Sequence, residues 1–284
     1  LSYLPFDADL RPARERLPEG ACDCHFHFFQ EFERFPVSSA AAYVPTPATI
    51  EDYRRMCKAY GVDRGVLVHP SVYGADHSSY EVFMAANQDW LRGVAVAPAN
   101  VDAASLERWH ALGTRGTRIN RAFANGPSDQ DIDTIIDKIK PLGWHAQVFA
   151  PLLQEPGLIR RIADRGVSVV VDHLGYAPAD ALISSEPFKD LLALMREGQA
   201  WVKLSGPYRS SNQMPKYPDL RPVIDALLHA NSDRAVWGTD WPHPHIDAMP
   251  NDGDLVDLIF DWLPDPQLRQ KILVDNPTRL YWSD

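Results

Sequence analysis

The chain has 284 residues, with 28 Lys plus Arg against 38 Asp plus Glu and a formal net charge of −10. That balance argues against nucleic acid or an anionic membrane as partner, because both reward clustered basic residues; a small anionic substrate needs only a few local arginines. Hydrophobic residues at 45% and charged residues at 23% are ordinary for a globular protein, and no apolar run approaches the ~20 residues that span a bilayer. Residues 1–20 lack the apolar core of a signal peptide, so a cytoplasmic location is the expectation. The three cysteines, Cys22, Cys24 and Cys57, offer no disulfide framework. They are expected to pack as small buried hydrophobes between strand and helix.

In chain order, residues 1–20 are rich in Pro, Arg and Glu and read as an arm outside one domain, residues 21–284. The first β-rich run covers residues 21–28. Seven more follow at 65–70, 93–97, 116–120, 145–149, 167–173, 200–205 and 235–240. Several are almost continuously apolar, as strands buried on both faces of a parallel sheet are. Amphipathic helical patterns lie between them at 49–60, 103–112, 130–139, 188–197 and 222–230, and residues 207–222 read as a long loop. Gly61, Gly113, Gly143 and Gly166 stand where helices end or strands begin. Strand alternating with helix predicts parallel pairing with right-handed crossovers. Eight repeats in this length predict a single α/β domain, a (β/α)8 TIM barrel with its active site at the C-terminal ends of the strands. A doubly wound sheet would want a Gly-rich phosphate loop after its first strand, and none follows residue 28.

Those strand ends carry a concentrated set of polar groups. Strand one ends Cys22-Asp23-Cys24-His25-Phe26-His27, strand six ends Val171-Asp172-His173, and strand eight ends Trp237-Gly238-Thr239-Asp240. A period of two puts Asp23, His25 and His27 on one face, with Cys22, Cys24 and Phe26 on the other. A lone histidine is usually a hydrogen-bonded core or surface residue, and His77, His110, His145 and His229 are read that way. Three histidines and an aspartate at barrel strand ends point to catalysis: His25, His27, His173 and Asp240. His69 and His243 border the same mouth without an assigned role.

These motifs, together with Trp241-Pro242-His243 and the C-terminal run from Leu273 to Trp282, resemble the amidohydrolase superfamily, amidohydrolase 2 type. Within it the chain resembles the lactonase branch of the 2-pyrone-4,6-dicarboxylate hydrolases, over nearly its whole length. The resemblance implies opening of a lactone ring by water, on a carboxylated lactone or a sugar-acid lactone. Asp240 would be the general base, and His25, His27 and His173 would polarise the carbonyl and hold the oxyanion. It also implies substrate contacts from Tyr43, Ser71, Arg118 and Arg209, with Arg121 as a nearby candidate. The branch works without metal, so no cofactor is expected; zinc on His25, His27 and Asp240 is the alternative. The residues 116–120 and 145–149 offer no Lys or Glu ligand of the kind that many metal-dependent relatives use. Phe149 stands where the branch has a tyrosine, and the stretch Arg121-Ala122-Phe123-Ala124-Asn125 departs from its second arginine. Two other functions compete: a zinc-dependent decarboxylase of the same superfamily, and a silent barrel that only binds a carboxylate.

Overall fold

The computed structural model describes residues 4–123 and 126–283. Residues 1–3 of the arm, Ala124 and Asn125 of the departing stretch, and Asp284 lie outside the described residues. Eight strands run β1 Cys22–Phe26, β2 Arg64–Val68, β3 Leu91–Ala95, β4 Thr114–Asn120, β5 His145–Phe149, β6 Val169–Val171, β7 Ala200–Leu204 and β8 Ala235–Trp237. Each pairs in parallel with the next, in sequence order. The ring closes just beyond the ends of β8 and β1. Asp240 N–H donates to the His25 carbonyl at 2.8 Å, and His27 N–H donates to the Trp241 carbonyl at 2.7 Å. The expected (β/α)8 barrel is therefore the observed fold, and each of the eight predicted runs overlaps a strand.

Helices α1 Ile50–Tyr60, α2 Ser78–Ala86, α3 Ala103–Ala111 and α4 Asp129–Ile139 follow the first four strands. The second half adds α5 Leu158–Asp164, α6 Ala179–Ile183, α7 Glu186–Arg196, α8 Arg221–Asn231, α9 Asp252–Trp262, α10 Pro266–Gln270 and α11 Asn276–Tyr281. The start signals are local. Thr49 and Ser128 each form a capping box with an aspartate three residues on, which satisfies the orphan N–H groups of α1 and α4. Gly61 ends α1 at φ 87°, in the left-handed region that glycine adopts without penalty. Residues 207–222 are mostly loop, broken by single turns at Pro207–Arg209 and Pro218–Leu220.

Two apolar layers result. Outward-facing strand residues such as Leu67, Ile119, Val148, Val169 and Leu204 pack under the helices. A smaller cluster fills the barrel itself: Cys22, Cys24, Val66, Val68, Val94, Val170, Trp201 and Val236, joined by Tyr281 of α11. Cys57 packs between helix and strand as expected, but Cys22 and Cys24 do not; they face the barrel axis. The cause is a register irregularity in β1 between Asp23 and Phe26. One extra residue in a strand shifts the phase of every side chain after it. Cys22 and Cys24 point inward before the irregularity, His25 and His27 point inward after it, and Phe26 lies outside, stacked on Tyr53 with centroids 3.8 Å apart. Asp23, expected beside His25 and His27, instead accepts from Tyr53 Oη at 2.9 Å, Thr239 N–H at 2.8 Å and Thr239 Oγ1 at 2.5 Å. It ties β1, β8 and α1 together.

The arm packs on the outside of α1 and α9, where Arg14 pairs with Asp261 at 2.8 Å and Leu17 N–H donates to the Tyr60 carbonyl. Among the described residues no helix is long and apolar enough to cross a membrane.

Gly238 lies where β8 approaches β1: a Cβ there would sit 2.8 Å from the His25 backbone nitrogen and 2.8 Å from its Cβ. Because the obstacle includes backbone, Gly238→Ala is expected to cost about 1–3 kcal/mol as overpacking. Urea denaturation checks this, and an unchanged midpoint would contradict the close approach.

Candidate active site

The polar groups at the barrel mouth sort themselves around two buried aspartates. The deeper is Asp172, which follows β6. Its Oδ2 accepts from Gln147 Nε2 at 3.0 Å and Arg118 Nε at 3.2 Å. Its Oδ1 faces Lys203 Nζ at 3.5 Å and His25 Nδ1 at 3.3 Å. Burial alone would raise the Asp172 pKa, but Lys203, His25 and Arg118 hold it well below the usual carboxylate range. Lys203 is completely buried and donates to Gln147 Oε1 at 2.6 Å and to His25 Nδ1 at 3.3 Å. Burial lowers its pKa, opposed by the charge of Asp172.

The second aspartate is Asp240, at the outer end of the β8 segment. Its Oδ2 accepts from Tyr208 Oη at 2.8 Å and from Arg209 Nε at 2.8 Å. Tyr208 also meets His243 Nδ1 at 2.9 Å, and His243 Nε2 lies 3.1 Å from Asp252 Oδ1. The other oxygen, Asp240 Oδ1, is buried without a hydrogen-bond partner. Around it stand His25 Nε2 at 3.7 Å, His173 Nε2 at 3.7 Å and His27 Nε2 at 3.9 Å. Burial would raise the Asp240 pKa, but Arg209 and the three histidines bring it below the ordinary range, so the group is anionic.

Each imidazole is oriented from behind. His27 Nδ1 lies 2.7 Å from the Val68 carbonyl, which can only accept, so Nδ1 carries the proton and Nε2 the lone pair. His173 Nδ1 meets Ser205 Oγ at 3.0 Å. His25 Nε2 lies 3.3 Å from His27 Nε2. Burial holds all three rings neutral: His27 is lowered to about 3, His173 to about 4, and His25 well below 6.5, where Lys203 adds to the effect.

Thus the structure brings His25, His27, His173 and Asp240 together, as their strand-end positions implied. Arg118 and Arg209 join them; Phe149, where a tyrosine was expected, offers its ring face to both guanidinium groups, at 4.6 and 5.9 Å. Tyr43 is buried nearby, 5.6 Å from the His245 ring, and Ser71 lines a cavity that also touches Arg118. Arg121 points elsewhere, paired with Glu155 and Asp129 at 3.1 Å each. Sequence reading missed Asp172, Gln147, Lys203, Tyr208 and the place of His243. The strand pattern carried the signal for two of them, since Lys203 interrupts an otherwise apolar β7 and Gln147 shares one face of β5 with His145.

A parallel barrel with imidazoles and a carboxylate converging at its mouth defines a hydrolase-type site. Residues 22–282 match the amidohydrolase family model, and the chain belongs to that family. It is 36% identical to a 2-pyrone-4,6-dicarboxylate hydrolase from Comamonas testosteroni, covering 99% of this chain and 96% of that protein. It is 33% identical to a 4-sulfomuconolactone hydrolase from Hydrogenophaga intermedia, covering 96% and 92%. A solved Pseudomonas putida structure, described as a candidate 2-pyrone-4,6-dicarboxylic acid hydrolase, superposes with a TM-score of 0.82 at 31% identity, covering 94% and 98%.

Buried neutral histidines make stability depend on pH. His27, His145 and His173 have folded-state values near 3, 3 and 4, against 6.5 when unfolded. As pH falls below 6.5 the unfolded chain gains protons that the folded one refuses, so stability falls by ~1.4 kcal/mol per unit for each histidine. Asp23, raised to about 6 mainly by burial, works oppositely between 6 and 3.8 and offsets one of them. Urea melts from pH 7 to 5 should show a steady loss; constant stability over that range would refute the neutral assignment.

Proposed function

We propose that this chain is a lactonase, which opens the ring of a small anionic lactone by attack of water with Asp240 as general base. The observation that carries this reading is the divided Asp240 carboxylate. Oδ2 is held by Arg209 and Tyr208, while Oδ1 is unpartnered and faces three imidazole edges. The lactone hydrolases among its relatives support the same reaction class.

The partners of each ring assign its part. His25 Nδ1 has Lys203 Nζ and Asp172 Oδ1 at 3.3 Å each, which favour opposite tautomers, but its Nε2 lies 3.3 Å from the lone pair on His27 Nε2, and that contact favours His25 Nε2–H as the donor toward the mouth. Ser205 can donate to His173 Nδ1 and set the same tautomer there. These two N–H groups would hold the lactone carbonyl oxygen as it becomes an oxyanion, and one such donor is typically worth about 2.7–4 kcal/mol. His27 Nε2 is an acceptor. With Asp240 Oδ1 it would receive the two hydrogens of the attacking water, so the expected trio of donors becomes two donors and one acceptor. As the water oxygen bonds to the carbonyl carbon, its proton passes to Asp240. When the ring C–O bond breaks, Asp240 returns that proton to the leaving oxygen.

His25, His27 and Asp240 also present three ligand atoms within 4.8 Å of one another, so these residues fit a divalent metal ion. When bound, zinc would lower the pKa of a ligated water to about 7. The contact of His25 Nε2 with the His27 Nε2 lone pair supports the metal-independent reading, because it favours the form of His25 that donates from Nε2 over the form that ligates; Lys203 at His25 Nδ1 acts in the same sense and Asp172 in the opposite one.

Asp240→Asn is expected to lower kcat by at least the ~10²–10⁴-fold typical of a general base, with little change in KM; wild-type turnover on a panel of acidic lactones would remove the assignment. Exhaustive chelation is expected to leave the native enzyme's rate unchanged. Loss of activity on chelation and its return with zinc would transfer water activation to a metal.

A further inference from the structure

We propose that the substrate is a lactone with one anionic group and an apolar arm, and that the arm enters the cavity beyond Arg118. This rests on the lactonase reading and specifies its substrate. The cavity has a volume of about 640 Å³, within the ~300–1,000 Å³ of sites that take drug-sized ligands. That is more room than a compact carboxylated ring would fill. Its wall is largely apolar: Val96, Ala97 and Ala99 after β3, Phe123 after β4, and Ile135 from α4. Only two charged residues line it among the described residues, Arg118 and Asp131.

The state of the arginines limits the number of anionic groups. Arg118 uses Nε on Asp172 and rests on the Phe149 ring, and neither of its terminal nitrogens has a protein hydrogen bond among the described residues. A fork held flat in this way suits one carboxylate. Arg209 is committed to Asp240 and to the Pro244 carbonyl. Arg121 is committed to Glu155, Asp129 and the Pro127 carbonyl. A second carboxylate reaching along the cavity would meet the Asp131 carboxylate, which sits at the start of α4 and caps Ser128. Charge therefore favours an anion at Arg118 and opposes one farther out, where apolar walls favour hydrocarbon.

The test is a series of monocarboxylated lactones with unbranched alkyl arms of increasing length, set beside the dicarboxylated pyrone, with ring opening followed by a pH indicator. The expected result is a rise in kcat/KM of roughly fourfold per methylene until the cavity fills, from ~0.8 kcal/mol per buried CH₂, and a weaker rate on the dicarboxylate. Ala99→Trp, a half-buried loop position on the cavity wall, should flatten the series. The ratio of long-arm to short-arm rates within each enzyme is the readout, so partial loss of folded protein does not disturb it. A flat series in the wild type, an unchanged slope in Ala99→Trp, or a preference for the dicarboxylate would overturn the proposal and leave the lactonase reading intact. Failure to open any lactone would overturn both.

Discussion

The mouth of the barrel depends on how β8 closes onto β1. Two backbone hydrogen bonds, Asp240 N–H to the His25 carbonyl and His27 N–H to the Trp241 carbonyl, fix the carboxylate beside the imidazoles. The chain twists at the mouth: Asp240 and His243 after β8 adopt φ 64° and 58°, and His173 after β6 adopts 50°. Non-glycine residues rarely take that region, at a cost of order 1–3 kcal/mol each. The surroundings compensate by determining these residues from several directions. Asp240 is gripped through its N–H and both hydrogen bonds to Oδ2, while Asp23 fastens Thr239 immediately before it. A left-handed turn at the strand end aims the carboxylate inward, which continued extended backbone would not do at this residue.

Two buried aspartates share this small volume, each with an Oδ1 that lacks a hydrogen-bond partner, and they differ in where their cationic neighbours stand. Asp172 is surrounded on both oxygens by cations and an amide, so its charge serves to hold Lys203 and Arg118 in place. Removing one member of such a set would leave an uncompensated buried charge, which is costly. Asp240 has the same anionic character, but its cationic neighbour lies on one oxygen only. The difference between the two is therefore geometric. Asp172 reaches the mouth through His25, whose Nδ1 it meets both directly and through Lys203 and whose Nε2 faces Asp240 Oδ1.

Much of this was legible in the sequence because parallel strands buried on both faces leave long apolar runs, and all eight stood out. His25, His27, His173 and Asp240 were legible because strand ends are where a barrel places its chemistry. The irregularity in β1 was not, since simple alternation assumes a regular pleat and no residue between Asp23 and Phe26 announces the extra step. That is why Asp23 was expected on the catalytic face and Cys24 off it. Lys203 escaped for a different reason: a lysine near the end of a strand ordinarily reaches solvent. Its burial here is set by Asp172 and Gln147, which come from two other strands. Arg121 was a nearby candidate beside Arg118, and the acidic partners Glu155 and Asp129, which the sequence does not place next to it, draw it away.

Arg209 and the imidazoles hold Asp240 below the ordinary carboxylate range, which in the proposed reaction makes it a weak base before substrate arrives. Arg209 is the largest cause of that depression, ahead of the three histidines, and it contacts the same oxygen as Tyr208. In the proposed reaction an anionic substrate arrives where Arg118 and Arg209 project their charge. Its negative charge opposes theirs at Asp240, and closure of the mouth by the ligand removes water that would screen the effect. Both changes raise the proton affinity of Oδ1 at the moment the attacking water lies beside it. In the proposed reaction the group that anchors the substrate would thereby also favour proton transfer to Asp240.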